Sequence, residues 1–416
     1  MAQAHSSASI LLENCVLLDV SARTMLPGRH ILVEGGLVKE VADRPIQAST
    51  ALRLDVRGRT VMPGLCDAHV HVTQLVSNTS LLRNAAPSYV SAQASVVLRE
   101  MLRRGFTTVR DAGGADYGLA DAVDHRLFEG PRILFSGHAL SQTGGHGDMR
   151  SKGEDRVDFC PACLGRSGRI CDGISEVRRA ARDELRKGAS QVKIMVSGGV
   201  TSPLDRIENT QFSLDEIRAA VEESEAQGRY VMAHAYTVPA IERALRCGVR
   251  SIEHGNMIDE STAQELRGRN AFLVPTTVVY WAMHREGREI GIPDVFQGKV
   301  ATVQEAAMRG LEIAVRSGVR MAFGTDLFGP LHRHQSAEFS LRAEMQKPID
   351  VIRSATLDAA ALFQREGEIG AIVPGARADM LVVDGDPTAD LNLLQEQGRH
   401  MSVIMKDGVF VINRLS

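Results

Sequence analysis

The chain carries no surplus of positive charge: 48 Lys and Arg stand against 51 Asp and Glu, a formal net charge of -3. A nucleic-acid partner calls for a basic face, so none is expected. No run of about 18 apolar residues occurs, and no membrane span is expected either. The first residues, MAQAHSSASILLENC, place no basic segment ahead of their short apolar run and do not read as a secretion signal. Six Cys in 416 residues are too few for a disulfide framework. Cys160 and Cys163 form CPAC with Cys171 nearby, but no fourth ligand follows at zinc-finger spacing. A reduced loop in a cytoplasmic protein is the expectation.

The most informative stretch is Val61 to Val72, VMPGLCDAHVHV, an apolar run that ends in His69 and His71. Residues i and i+2 of a strand share a face, so both imidazoles leave the strand end in one direction. Two convergent imidazoles are half of a transition-metal site. Taken alone, His-x-His is equally compatible with a packed core histidine beside a chance neighbour.

Residues 8 to about 60 alternate short β-prone runs with turns, and DMLVVDGDP, HMSVIMKDG and VFVINRL repeat that texture at the other end. The two ends are expected to form one β-sandwich-like domain, residues 1–60 plus 366–416, with residues 61–365 inserted in it. The insert has another rhythm, in which helical patterns stop at a glycine and a short β-branched run follows. Gly105, Gly188, Gly228, Gly248 and Gly318 fall where a helix takes a left-handed cap. Ser213 to Glu216 has the form of a capping box. Eight strands alternating with helices over about 300 residues fit a (β/α)8 TIM barrel better than an open doubly wound sheet. No GxGxxG follows the first strand, which argues against a dinucleotide site.

Barrel chemistry sits at the C-terminal ends of the strands. Reading those ends in order gives His69 and His71, then Lys193 between Val192 and Ile194, then His234, His254 and Asp326. A buried lysine is costly unless paired or chemically altered. Each of the others has an ordinary structural alternative, a packed histidine or a capping aspartate. Together they fall where the barrel rule places function.

On these residues the chain resembles the amidohydrolase superfamily of metal-dependent hydrolases, through PGLCDAHVHV, VKIMVSGG, MAHAYT, SIEHG, FGTD and PGARADMLVVDGDP. With Lys193, TGGHGD at 143–148 and HAYT at 234–237, it is most similar to the branch of carboxypeptidase-like, Xaa-Pro dipeptidase-like and ochratoxin-type enzymes. The resemblance implies a binuclear centre, most simply of zinc. His69, His71 and Asp326 would hold one ion, and His234 and His254 the other. Lys193, N-carboxylated by CO2, would bridge them. Two such ions share a hydroxide that attacks a carbonyl, and Asp326 would shuttle its proton to the leaving amine.

Tyr236, two residues beyond His234, and His146 in the glycine-rich loop after strand three are expected to contact substrate. Arg110, His138, His332 and His334 are lesser candidates. The implied activity is hydrolysis of a small amide or peptide that bears a terminal carboxylate, by a homo-oligomer. Two alternatives stay open: an imidazolonepropionase-like hydrolase of cyclic amides, from which the bridging lysine would be absent, and a lyase forming a Schiff base on Lys193.

Overall fold

The computed structural model describes residues 9–76, 85–155, 168–202 and 204–415. Cys160 and Cys163 lie outside them. The chain opens with five strands: β1 (Ile10–Asp19), β2 (Thr24–Glu34), β3 (Leu37–Ala42), β4 (Leu52–Asp55) and β5 (Thr60–Pro63). Next come β6 (Leu65–Val70), β7 (Phe106–Asp111), β8 (Arg132–Phe135), β9 (Ala139–Ser141), β10 (Gly168–Ile170) and β11 (Val192–Met195). The remaining strands of the middle segment are β12 (Val231–Thr237), β13 (Ser251–Met257), β14 (Phe272–Val274) and β15 (Arg320–Met321). The last three are β16 (Met380–Val383), β17 (Met401–Lys406) and β18 (Val409–Asn413).

Strands from the two ends of the chain share one eight-stranded sheet of order β18-β17-β16-β5-β1-β2-β3, with β4 beside β1. Its core mixes both ends: Leu12, Ile31 and Val61 pack with Met380, Val403 and Met405. A buried apolar face on each strand removes more area from water than either end could bury alone.

The middle of the chain is mixed α/β, and its strands pair in parallel. Seven strands follow the order β10-β9-β11-β12-β13-β14-β15, and β6-β7-β8 form a second group. Backbone bonds connect the groups at both margins. Ser190 N–H donates to Phe135 O (2.9 Å), and Ala68 N–H donates to Phe323 O (2.7 Å). Helices alternate with these strands: α1 (Pro87–Arg103), α2 (Tyr117–Asp124), α3 (Gly173–Arg186), α4 (Leu214–Glu225), α5 (Val238–Arg246), α6 (Glu260–Gly268), α7 (Thr277–Glu286) and α8 (Asp294–Arg316).

Local sequence explains several of these boundaries. Ser213 and Glu216 close a reciprocal capping box at the start of α4, a device of about 1 kcal/mol. Gly105 and Gly248 end helical stretches with φ of +89° and +93°, a conformation strained for any residue with a Cβ. The terminal sheet is tied to the parallel strands through Arg132 of β8, which pairs with Asp379 (2.9 Å) and Asp407 (2.6 Å). No helix of the described residues is long and apolar enough to cross a membrane.

Candidate active site

His69 is the penultimate residue of β6 and His71 lies one residue past its end. Both Nε2 atoms converge on one oxygen, Asp326 Oδ1, at 3.3 Å and 3.2 Å. The opposite nitrogens are engaged behind them. His71 Nδ1–H donates to Gly113 O (2.9 Å) and His69 Nδ1–H donates to Glu253 Oε2 (2.7 Å). Such bonds fix the tautomer and leave Nε2 bare. His69 Nε2 is buried and has no hydrogen-bond partner.

His234 has the reverse arrangement. Its Nε2–H donates to Gly198 O at 3.1 Å, so Nδ1 is its bare nitrogen. His254 Nδ1 is hydrogen-bonded to the Thr276 hydroxyl (2.8 Å). Ring centroids lie 5.1 Å apart for His69 and His254, and 4.6 Å apart for His254 and His234. Lys193 of β11 is 1% exposed and borders the same cavity. It has no ion pair among the described residues.

Charge within this cluster follows from burial and proximity. Burial presses the Lys193 amine down to about 8, against the pull of the Glu253 and Asp326 carboxylates. Burial likewise drives His234 and His254 well below the ordinary histidine value, which keeps them neutral and able to ligate. Burial would raise the Asp326 carboxyl, yet His69 and His71 hold it well below the usual range. Backbone strain gathers here too. His254, Thr276 and Asp326 have φ of +74°, +48° and +56°, each a conformation costing on the order of 1–3 kcal/mol for a non-glycine residue.

One cavity, open to solvent, is lined by His69, His71, Lys193, His234, His254 and Asp326. His146 and Tyr236 line it as well. The Tyr236 hydroxyl is hydrogen-bonded to that of Tyr280 (2.7 Å). The lesser candidates lie elsewhere. Arg110 is fully buried and pairs with Glu253 (2.9 Å). His138 is 3.4 Å from Glu184, and His334 bonds Glu286 (2.7 Å). His332 is buried outside the cavity lining.

Glu253 is one of the residues that the sequence pattern did not single out. In a regular strand it would face away from its neighbour His254, but the left-handed φ of His254 breaks the alternation. Both side chains then reach the neighbourhood of His69. The one available signal was a carboxylate in a fully buried stretch of strand, beside Ile252.

Imidazoles with pinned tautomers, a buried amine and a carboxylate thus meet at the ends of parallel strands. In keeping with that, residues 60–411 match the family model described as Amidohydrolase family, and the chain belongs to that family. A solved prolidase, complexed with N-methylphosphonate-L-proline, is 46% identical; the match covers 97% of this chain and 100% of that one, with a TM-score of 0.95. Ochratoxinase of Aspergillus niger is 28% identical over 85% of this chain and 76% of its own. Imidazolonepropionase of Treponema denticola is 22% identical over 92% of each.

Proposed function

We propose that the protein is a metal-dependent amidohydrolase that cleaves the C–N bond of small amides or peptides bearing a terminal carboxylate. The observation that carries this reading is the convergence of His69 and His71 Nε2 on Asp326 Oδ1, together with the orphaned state of buried His69 Nε2. A buried polar atom without a partner costs free energy unless something satisfies it. Among the described residues, these three alone place ligand atoms within 4.8 Å of one another. A divalent cation fits that donor set, and His234 with His254 would hold a second.

Lys193 would join them after N-carboxylation by CO2, in which its free amine forms an N–C bond and gives up a proton. The product is an anion where a buried cation would otherwise be unpaired. When bound, two such cations, most simply zinc, lower the pKa of water and polarise a carbonyl. The protein's own groups do the rest. Asp326 accepts the proton of the attacking water and returns it to the leaving nitrogen. His146 and Tyr236, on the cavity wall, contact the substrate, with Tyr280 orienting the Tyr236 hydroxyl.

The scaffold we infer is a closed (β/α)8 barrel of β6, β7, β8, β11, β12, β13, β14 and β15. The Ser190–Phe135 and Ala68–Phe323 bonds support its closure. The barrel, residues 61–365, would be inserted in a sandwich-like unit of residues 1–60 plus 366–416. Similarity to a prolidase and to ochratoxinase favours substrates with a carboxylate over the cyclic amides of the imidazolonepropionase alternative.

A panel of Xaa-Pro dipeptides, N-acyl amino acids and ochratoxin-like aryl amides tests the reading. Hydrolysis of at least one class is expected, abolished by chelation and restored by zinc. Turnover confined to cyclic amides, or unaffected by chelation, would refute it.

A further inference from the structure

His146 is held by the segment that follows β11. Its Nδ1 lies 2.7 Å from Ser202 Oγ and 3.5 Å from Asp205 Oδ2. The Ser202 hydroxyl donates in turn to the other oxygen of Asp205. The backbone N–H of His146 donates to Gln211 Oε1 (2.8 Å), whose Nε2–H donates to Asp205 Oδ2 (3.0 Å). The imidazole stacks on His234, with centroids 4.2 Å and planes 20° apart. A Cβ at Gly199 would sit 2.1 Å from the ring, so only glycine leaves room for it.

The group that gathers this segment comes from elsewhere in the chain. Lys299, in the second turn of α8, donates from Nζ to the carbonyls of Gly199 (3.0 Å), Ser202 (3.4 Å) and Asp205 (2.9 Å). Those three residues are the ones that define the His146 socket: Gly199 by the space it leaves, Ser202 and Asp205 by their approach to Nδ1. An ammonium has three donors and no acceptor, and all three serve the same socket. Lys299 itself does not line the cavity.

We propose that Lys299 is a positioning residue. It holds the backbone at 199, 202 and 205 in the form that fixes the His146 ring against the cavity wall, and so sets selectivity for substrates carrying an anionic group. The selectivity clause rests on the reading of His146 as a substrate contact; the positioning clause rests on geometry alone.

The test uses Lys299→Met, which keeps the stem and removes the charge, beside Lys299→Arg and Asp205→Asn. With a carboxylate-terminated substrate, Lys299→Met should raise KM about tenfold and change kcat by less than about threefold. The same substrate with its carboxylate capped as an amide should show no such KM change. Lys299→Arg should recover most of the loss, Asp205→Asn should reproduce it, and metal content should match the parent enzyme. A crystal structure of Lys299→Met should show the His146 ring displaced from His234.

An unmoved ring, or equal losses on the two substrates, would overturn the inference. Should Lys299→Met fail to fold, Asp205→Asn supplies both readouts. If the parent enzyme turns over no carboxylate-bearing substrate, the proposed function fails, while the position of the His146 ring still decides the role of Lys299.

Discussion

Glu253 accepts a hydrogen bond from His69 Nδ1–H at 2.7 Å while Arg110 grips the same carboxylate at 2.9 Å, all three side chains fully buried. Burial would raise the Glu253 carboxyl, but the Arg110 charge and His69 hold it well below the ordinary range. It is therefore an anion, and an anion behind a ligating imidazole orients the ring and raises its basicity.

Replacing Glu253 with Gln keeps the shape and removes the charge. Affinity for zinc, read by competition with a chromophoric chelator, should fall by about 10–100-fold. Glu253→Ala would leave Arg110 buried and unpaired, with an expected stability loss of about 3–5 kcal/mol in denaturant unfolding. Unchanged zinc affinity in Glu253→Gln would remove Glu253 from the account of the site.

Lys193→Ala should abolish activity, because neither an amine nor a carbamate is then available. Short carboxylic acids such as propionate should restore part of it by occupying the vacated space with an anion. Full activity without additives would eliminate the carbamate.

Asp326→Asn separates proton transfer from binding. If Asp326 moves the proton, kcat should drop by about 10²–10⁴-fold with KM changed little. A change confined to KM would assign it to binding.

Stability should also respond to acid through His332. Burial pushes this imidazole down from 6.5 to about 3, so the folded state holds it neutral while the unfolded chain protonates it. Its contribution is fully present above pH 6.5 and is lost as pH falls from there towards 3. At pH 5 the loss is about 2 kcal/mol. Thermal unfolding at pH 7.5 and pH 5 should show a smaller acid-dependent drop in His332→Asn than in the parent. Equal drops would mean that His332 titrates normally.

How far the site was legible follows from periodicity. His69 and His71 are two apart at a strand end, and Lys193 is a charge between two apolar strand residues, so pattern alone drew them together. Glu253 escaped because the backbone at His254 leaves the strand period. Tyr280 escaped because it belongs to α7, where no pattern ties it to Tyr236. Ser202, Asp205 and Lys299 act through irregular backbone and its carbonyls, which no side-chain pattern encodes. The last strand of the middle segment is also shorter than its sequence suggests: β15 holds only Arg320 and Met321, and Asp326 lies five residues past it. That irregular stretch gives Asp326 its left-handed φ and brings its carboxylate to the histidines.

The proposed pair of cations held by these side chains is open to elemental analysis of freshly purified, active protein. About two equivalents of zinc or a similar divalent ion per chain are expected, with activity and metal lost together on dialysis against chelator. Fully active protein without bound divalent metal would contradict the account.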